Sequence, residues 1–157
     1  MIKVLFVCLG NICRSPLAEA IFKHKVKQLN WDGRFLVDSC GTGDYHIGSQ
    51  PDHRTITVAK KNGIEIFHAC RQFTKRDIDG FDYILAMDKS NRHNILQMAG
   101  LPESDKVLVM RYFDEMHRGG DVPDPYYGAE REFQEVFDIL NRSMDGFIAH
   151  LRKAHSL

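Results

Sequence analysis

The sequence lacks the features that would place it in several specialised classes of protein. Lysine plus arginine and aspartate plus glutamate both number 21, so there is no basic excess of the kind that nucleic-acid-binding proteins use. No apolar run approaches the roughly 20 residues that a membrane-spanning helix requires. The protein is therefore expected to bind neither nucleic acid nor membrane. Its length of 157 residues is typical of one domain, residues 1–157.

Cysteine and histidine are present, but without the spacings that are typical of metal sites. There is no C-x-x-C pair and no H-x-x-x-H pair; the cysteines are Cys8, Cys13, Cys40 and Cys70. We therefore expect reduced thiols, no metal and no other cofactor. The N-terminal segment MIKVLFVCLG is apolar but lacks the small-residue cleavage site of a signal peptide, so the cytoplasm is the expected location.

Apolar segments of strand length alternate with segments of helix length. The runs VLFV, RFLVDSC, FDYILAMD and KVLVMRYF are typical of strands, whereas HRTITVAKKNGI, SNRHNILQMAG and a final segment with an apolar stripe are typical of helices. Ser90 is the expected N-cap of the SNRHNILQMAG helix, and Gly100 is its expected end. This alternation predicts an α/β fold with a mostly parallel sheet, which binds ligands beyond the carboxyl ends of its strands.

The segment VLFVCLGNICRSPLAEA carries the strongest chemical signal. Cys8 follows the first strand, and Arg14 comes after five intervening residues in the pattern Cys-x5-Arg-Ser. Gly10 and Asn11 tolerate left-handed backbone angles, so successive N–H groups can converge on an anion. Pro16 suits the first turn of a helix, whose N-terminus adds partial positive charge. The loop is therefore predicted to bind a tetrahedral oxyanion such as phosphate.

The same loop places a candidate nucleophile beside the predicted phosphate. The N–H dipoles, the helix N-terminus and Arg14 favour the thiolate form of Cys8, and Ser15 can donate its hydroxyl to the sulfur. Expulsion of an alcohol or phenol also requires a proton donor, and the segment DPYY supplies Asp124 before Pro125. A cysteine after a strand usually packs in the core, and an aspartate before proline usually forms a turn. The combination Cys-x5-Arg-Ser nevertheless favours the catalytic interpretation.

The segments VLFVCLGNICRSPLAEA, FDYILAMDKSN and DPYYG resemble the low-molecular-weight protein tyrosine phosphatase family, in order and spacing over essentially the whole chain. The resemblance implies a three-layer, flavodoxin-like α/β fold with a four-stranded parallel sheet flanked by helices. It also implies hydrolysis of phosphotyrosine and other aryl phosphate monoesters through a phosphocysteine intermediate. Cys8 would be the nucleophile, Arg14 the phosphate clamp, and Asp124 the general acid and then the general base. The implied partners are phosphotyrosine-containing proteins or peptides, with inorganic phosphate as product and inhibitor.

The resemblance also assigns supporting roles. Ser15 would stabilise the thiolate, and Asn11 would hold the loop in shape with help from Ser39 and His68. The substrate slot would be lined by Leu9, Tyr45, Tyr126 and Tyr127, with His46 at a position that varies with specificity. Gly10, Ile12 and Cys13 complete the phosphate-binding loop. For Ser39, His68, Tyr45 and His46, the residues alone, without the resemblance, favour a purely structural role.

The role of the other cysteines stays open. Cys13 either packs the loop or forms a protective disulfide with Cys8 when the protein is oxidised, as the family resemblance suggests. Cys40 and Cys70 are expected to be structural. Three other functions fit parts of the pattern: an arsenate reductase of the same fold, a non-catalytic phosphate-binding module, and a carrier that stores phosphocysteine. The first requires a close pair of additional cysteines, and the other two have no use for Asp124.

Overall fold

A computed structural model describes all 157 residues and contains a single parallel sheet of four strands. The strands lie in the order β2-β1-β3-β4, which is the arrangement of a flavodoxin-like sheet and confirms the predicted fold class. Every neighbouring pair is parallel. The strands are β1 (Ile2–Cys8), β2 (Phe35–Gly41), β3 (Tyr83–Ala86) and β4 (Val107–Val109).

Five α-helices cover the two faces of the sheet, as right-handed crossovers between parallel strands require. They are α1 (Arg14–Gln28), α2 (His53–Lys61), α3 (Asp77–Gly80), α4 (Lys89–Ala99) and α5 (Glu130–Ala154). Helices α1, α2 and α5 enclose the larger apolar core on one face, and α3 and α4 enclose a smaller one on the other. None of the helices combines the length and the apolar composition that crossing a membrane requires. The predicted stripe of α5 is fully buried: Phe133, Phe137, Leu140, Met144, Phe147 and Leu151.

Two predicted boundaries differ from the structure. Ser90 is not the N-cap of α4, because Asp88 occupies that position and its carboxylate accepts a hydrogen bond from the Asn91 N–H at 2.7 Å. The run KVLVMRYF is a strand only over Val107–Val109 and then forms a 3₁₀ turn. Gly100 ends α4 as predicted, with a left-handed φ of 71°.

The topology brings the predicted functional segments to one edge of the sheet. Strand β1 ends at Cys8. The segment of residues 8–15, which we term the cradle loop, runs from the end of β1 into the first turn of α1. The long segment between β4 and α5 returns to the same edge, where the Val122 N–H donates to the Met87 carbonyl at 2.9 Å. This contact places the following residues 124–128, termed the DPYYG loop, opposite the cradle loop.

Candidate active site

The thiol of Cys8 lies buried at the base of the cradle loop. Its Sγ accepts a hydrogen bond from the Asn11 N–H at 3.3 Å and lies 3.0 Å from the Ser15 hydroxyl oxygen. When the sulfur is ionised, the Ser15 hydroxyl must be the donor, because a thiolate has no proton. Both groups can donate to a thiolate, which is the nucleophilic form of cysteine.

The Asn11 side chain holds the cradle loop in its conformation. The Asn11 backbone has a left-handed φ of 58°, which asparagine tolerates better than most residues. The side-chain amide group donates to the Ser15 hydroxyl at 2.8 Å and to the Ser39 hydroxyl at 3.0 Å. Its side-chain oxygen, Oδ1, accepts from His68 Nε2 at 2.7 Å and from the Arg71 N–H at 3.1 Å. With all four of its hydrogen bonds made, the side chain fixes the unusual backbone angle.

His68 connects this network to a buried acidic group. Its Nδ1 lies 3.3 Å from a carboxylate oxygen of Glu19 and 3.8 Å from one of Asp38. Glu19 also accepts from the Ser39 hydroxyl at 2.6 Å and pairs with Lys23. Glu19, Asp38 and His68 are close enough to share a cation, but in this arrangement the contacts among their side chains support Asn11. The structure thus places Ser39 and His68 behind the cradle loop.

Arg14 is buried in the first turn of α1 and is held from behind. Its Nη1 donates to Asp88 at 2.8 Å and to the Val122 carbonyl at 2.9 Å. Burial alone would lower the pKa of the Arg14 guanidinium, but the thiolate of Cys8 and the carboxylate of Asp88 raise it above its usual value. The guanidinium is therefore a fixed cation beside Cys8, with the geometry to grip two oxygens of a phosphate.

The chain beyond β2 clamps the cradle loop from the side. The Thr42 N–H donates to the Cys8 carbonyl and the Gly43 N–H to the Leu9 carbonyl, both at 2.9 Å. A Cβ atom at Gly41 would lie 2.6 Å from the Leu9 carbonyl oxygen, so only glycine permits this close approach. On the opposite side, the buried thiol of Cys70 donates to the backbone carbonyl of Asn11 at 2.8 Å.

An open cleft of about 230 Å³ lies above Cys8. The carboxylate of Asp124 stands on its rim, 3.8 Å from Arg14 Nη2, and its Oδ1 accepts from the Tyr126 N–H at 3.1 Å. The rings of Tyr126 and Tyr127 meet edge to face at 5.0 Å, and Tyr127 is 96% exposed. The cleft is lined by Cys8, Leu9, Gly10, Ile12, Cys13, Arg14, Tyr45, His46, Asp124, Tyr126 and Tyr127.

The structure therefore brings together all of the residues that the sequence analysis singled out. Ser39 and His68 lie behind the cradle loop, Asn11 is buried within it, and Ser15 lies against the sulfur of Cys8. The remainder border the cleft. Burial, and next the nearby Asp52, raises the pKa of the Cys13 thiol to about 12. Cys70 has a structural contact, as expected. The sequence analysis missed the supporting roles of Glu19, Gly41 and Asp88. Of these, Asp88 alone had a usable signal, since a carboxylate just beyond the end of a strand next to β1 is a natural partner for a buried arginine.

Comparisons with known proteins agree with this geometry. The family model described as "Low molecular weight phosphotyrosine protein phosphatase" matches residues 3–157. A relative of the same name from Schizosaccharomyces pombe is 46% identical over 87% of this chain and 88% of its own. One from Homo sapiens is 40% identical over 98% of this chain and 96% of its own. The crystal structure of a protein tyrosine phosphatase from Entamoeba histolytica, with Hepes in the active site, is 39% identical, with a TM-score of 0.93 and 99% of both chains covered. The chain therefore belongs to the low molecular weight phosphotyrosine protein phosphatase family.

Proposed function

We propose that the protein hydrolyses aryl phosphate monoesters, phosphotyrosine above all, and that Cys8, Arg14 and Asp124 carry the reaction. Family membership makes it a hydrolase of the protein-tyrosine-phosphatase type. The observation that carries the residue assignment is the position of Cys8: its buried sulfur faces an anion-binding loop, and Arg14 and Asp124 border the same cleft. That arrangement supplies a nucleophile, a phosphate clamp and a proton donor.

The first half of the reaction forms a phosphocysteine. The phosphate of the substrate binds between the N–H groups of the cradle loop and the Arg14 guanidinium. The Cys8 thiolate attacks phosphorus, so that an S–P bond forms while the P–O bond to the phenol breaks. Protonated Asp124 gives its proton to the departing phenolate oxygen, and this assistance matters most for a weakly acidic phenol such as tyrosine.

The second half releases inorganic phosphate. Asp124, now a carboxylate, takes a proton from a water molecule that attacks the phosphocysteine. The S–P bond breaks, the electron pair returns to sulfur as thiolate, and Asp124 is again protonated. Inorganic phosphate leaves the cradle, and because the same groups bind it in the forward reaction it also acts as a competitive inhibitor.

The walls of the cleft support an aromatic substrate. Tyr45, Tyr126 and Tyr127 are exposed enough to contact a flat leaving group, and Leu9 and Ile12 add apolar surface. We propose phosphotyrosine-containing proteins or peptides as the substrates, because an open cleft admits a side chain that projects from a larger chain. The residues 1–157 would act as one phosphatase domain. The four free cysteines fit a reducing compartment such as the cytoplasm.

An arsenate reductase of this fold would need further accessible thiols to resolve the adduct on Cys8. Cys40 and Cys70 are buried, and the thiol of Cys70 is occupied by the Asn11 carbonyl. Burial raises the pKa values of both thiols, that of Cys70 to about 11, which opposes their use as nucleophiles. This observation favours the phosphatase over the reductase.

The test is turnover of an aryl phosphate by the wild type and by Cys8→Ser. We expect no measurable turnover for Cys8→Ser, because a serine hydroxyl is not ionised at neutral pH, together with retained binding of inorganic phosphate. A metal chelator should leave the wild-type rate unchanged. Turnover by Cys8→Ser at the wild-type rate would overturn the proposal. Thioredoxin-dependent arsenate reduction by the wild type that is faster than its phosphate release would overturn it as well.

A further inference from the structure

Arg54, in the first turn of α2, contacts both the DPYYG loop and helix α5. Its guanidinium carbon lies 4.6 Å from the centre of the Phe133 ring and 5.6 Å from the centre of the Tyr126 ring. Its Nη1 donates to the Gly128 carbonyl at 3.3 Å. The Arg54 side chain therefore contacts the DPYYG loop at its middle, Tyr126, and at its end, Gly128. The flat face of a guanidinium suits the ring contact, and its fixed N–H donors suit the carbonyl contact.

The other end of the same guanidinium is fixed to Asp52. The Asp52 carboxylate accepts from Arg54 Nε at 3.0 Å and from Nη2 at 2.9 Å, so that the pair is bidentate. Asp52 also caps α2 by accepting from the Arg54 N–H at 2.9 Å. These hydrogen bonds hold the pKa of Asp52 below its usual value, so that the carboxylate stays charged.

Asp52 is in turn bound to the cradle loop. Its N–H donates to the Ile12 carbonyl at 2.8 Å. A continuous path therefore runs from the cradle loop through Asp52 and Arg54 to the Gly128 carbonyl and the Tyr126 ring. Each link is a hydrogen bond or a stacking contact between groups that are themselves held, and the two residues in the middle of the path, Asp52 and Arg54, do not line the cleft.

The hydrogen bonds within the DPYYG loop fix its shape, and the Val122–Met87 contact anchors the chain only before the loop begins. The Tyr126 N–H donates to Asp124, and the Gly128 N–H donates to the Pro125 carbonyl at 2.8 Å. The Asp124 side chain is 49% exposed, so packing around it does little to hold it in place. A displacement of about 1 Å in a reacting group lowers a rate by as much as about 10²-fold, so the distance between the two loops matters for catalysis.

We propose that Arg54 is a positioning residue for proton transfer, which sets the distance of Asp124 from the phosphate bound above Cys8. The proposal rests on the proposed function, because it assigns to Arg54 an effect that is expressed only through Asp124. Lysine cannot replace it, since an ammonium group can neither bind Asp52 in a bidentate manner nor stack between Phe133 and Tyr126.

The readout is the dependence of kcat/KM on the leaving group. Phosphotyrosine releases a phenol with a pKa of about 10 and needs the acid, whereas p-nitrophenyl phosphate releases a much more acidic phenol that can leave without a proton. For Arg54→Met we expect a loss of about tenfold with phosphotyrosine and of no more than about twofold with p-nitrophenyl phosphate. Arg54→Lys should behave like Arg54→Met. The inhibition constant of inorganic phosphate should stay within about twofold of the wild-type value, because the cradle loop is intact.

A double-mutant cycle separates positioning from a general structural effect. In the Asp124→Ala background, Arg54→Met should cause no further loss with phosphotyrosine, because the group that it positions is gone. The matched control is Arg131→Met, an arginine that is 81% exposed beside the same loop and pairs with Glu132 and Glu135 on its own helix. This control should retain wild-type kcat/KM with both substrates.

The outcomes distinguish the two proposals. Equal losses with both substrates in Arg54→Met, an additive loss in the double variant, or full activity in Arg54→Lys would overturn the role of Arg54. If Asp124→Ala itself slowed both substrates equally, the proposed function of Asp124 would fail, and the role of Arg54 would fail with it. A loss of stability in Arg54→Met, measured by thermal unfolding, does not alter the ratio of kcat/KM with phosphotyrosine to kcat/KM with p-nitrophenyl phosphate.

Discussion

Removal of the buried carboxylate of Asp114 should destabilise the protein strongly. Asp114 is fully buried at the start of the long segment that leads to the DPYYG loop. Its carboxylate accepts from Arg111 Nε at 2.9 Å and from two nitrogens of Arg142 at 2.7 and 3.0 Å, and it also accepts from the Met116 N–H. Asp114→Ala leaves two arginines without their partner.

The expected loss is about 3 kcal/mol of unfolding free energy. Breaking one side of a buried ion pair costs about 3–5 kcal/mol, and we take the lower end because the Arg142 side chain is 29% exposed and can turn towards water. For a chain of this length, that loss corresponds to a fall in Tm of about 6–12 °C. Asp145→Ala is the control: this aspartate is 66% exposed in a single ion pair with Lys25, so its removal should cost less than about 1 kcal/mol.

The effect of Asp114 should depend on pH in a defined direction. Hydrogen bonds from Arg142 above all hold the pKa of the Asp114 carboxyl well below its usual range. A depressed pKa contributes stability that is complete above the unfolded-state value of about 3.9 and is lost as the pH falls through the folded-state value. The difference between wild type and Asp114→Ala should therefore be constant above about pH 5 and shrink below about pH 4.

Urea unfolding at several pH values measures both predictions, because a shift of the midpoint at constant m-value reports stability alone. A loss below about 1 kcal/mol at neutral pH would refute the reasoning from burial. A difference that grew as the pH fell would refute the assigned direction of the pKa.

Three further predictions concern the reaction and its control. Asp124→Ala should lose about 10²–10⁴-fold in kcat/KM with phosphotyrosine and much less with p-nitrophenyl phosphate; equal losses would show that Asp124 is not the acid. Tyr126→Ala and Tyr127→Ala should each weaken aryl phosphates by about three- to tenfold while leaving the inhibition constant of inorganic phosphate nearly unchanged, and equal effects on both ligands would mean that the tyrosines only shape the loop. After peroxide treatment, mass spectrometry should detect a Cys8–Cys13 crosslink, and thiol reductant should restore wild type but not Cys13→Ser. Since the thiolate is the attacking species and the pKa of Cys13 is about 12, the crosslink should form about tenfold faster per pH unit between about pH 6 and pH 8; equal recovery in Cys13→Ser would contradict this role.

The fold and the cradle loop were predictable because local signals and global topology agree in this sequence. The first strand is a continuous apolar run, and Gly10, Asn11 and Pro16 all suit a tight turn into a helix N-terminus. Parallel connectivity then required the carboxyl ends of β1 and β3 to share one edge of the sheet. The same reasoning predicts that Cys8 and Arg14 border one site, and both line the cleft.

The supporting residues were less predictable because their roles depend on distant contacts. Glu19 is separated from His68 by most of α1, β2 and α2, and no local pattern connects them. Gly41 looks like an ordinary glycine at the end of a strand until a Cβ there is found to meet the Leu9 carbonyl. Arg54 reads as a surface charge in an amphipathic helix, and its contacts with Asp52 and the DPYYG loop appear only in three dimensions.

The most direct test of the mechanism is the detection of the phosphoryl group on Cys8. The Asp124→Ala variant should accumulate the intermediate with p-nitrophenyl phosphate, because the leaving group departs without a proton while the attacking water has lost its base. Rapid quenching followed by mass spectrometry of the peptides should find the phosphoryl adduct on Cys8 in that variant and none in Cys8→Ser. Release of phenol and phosphate without any adduct on Cys8, or an adduct on another residue, would contradict the account.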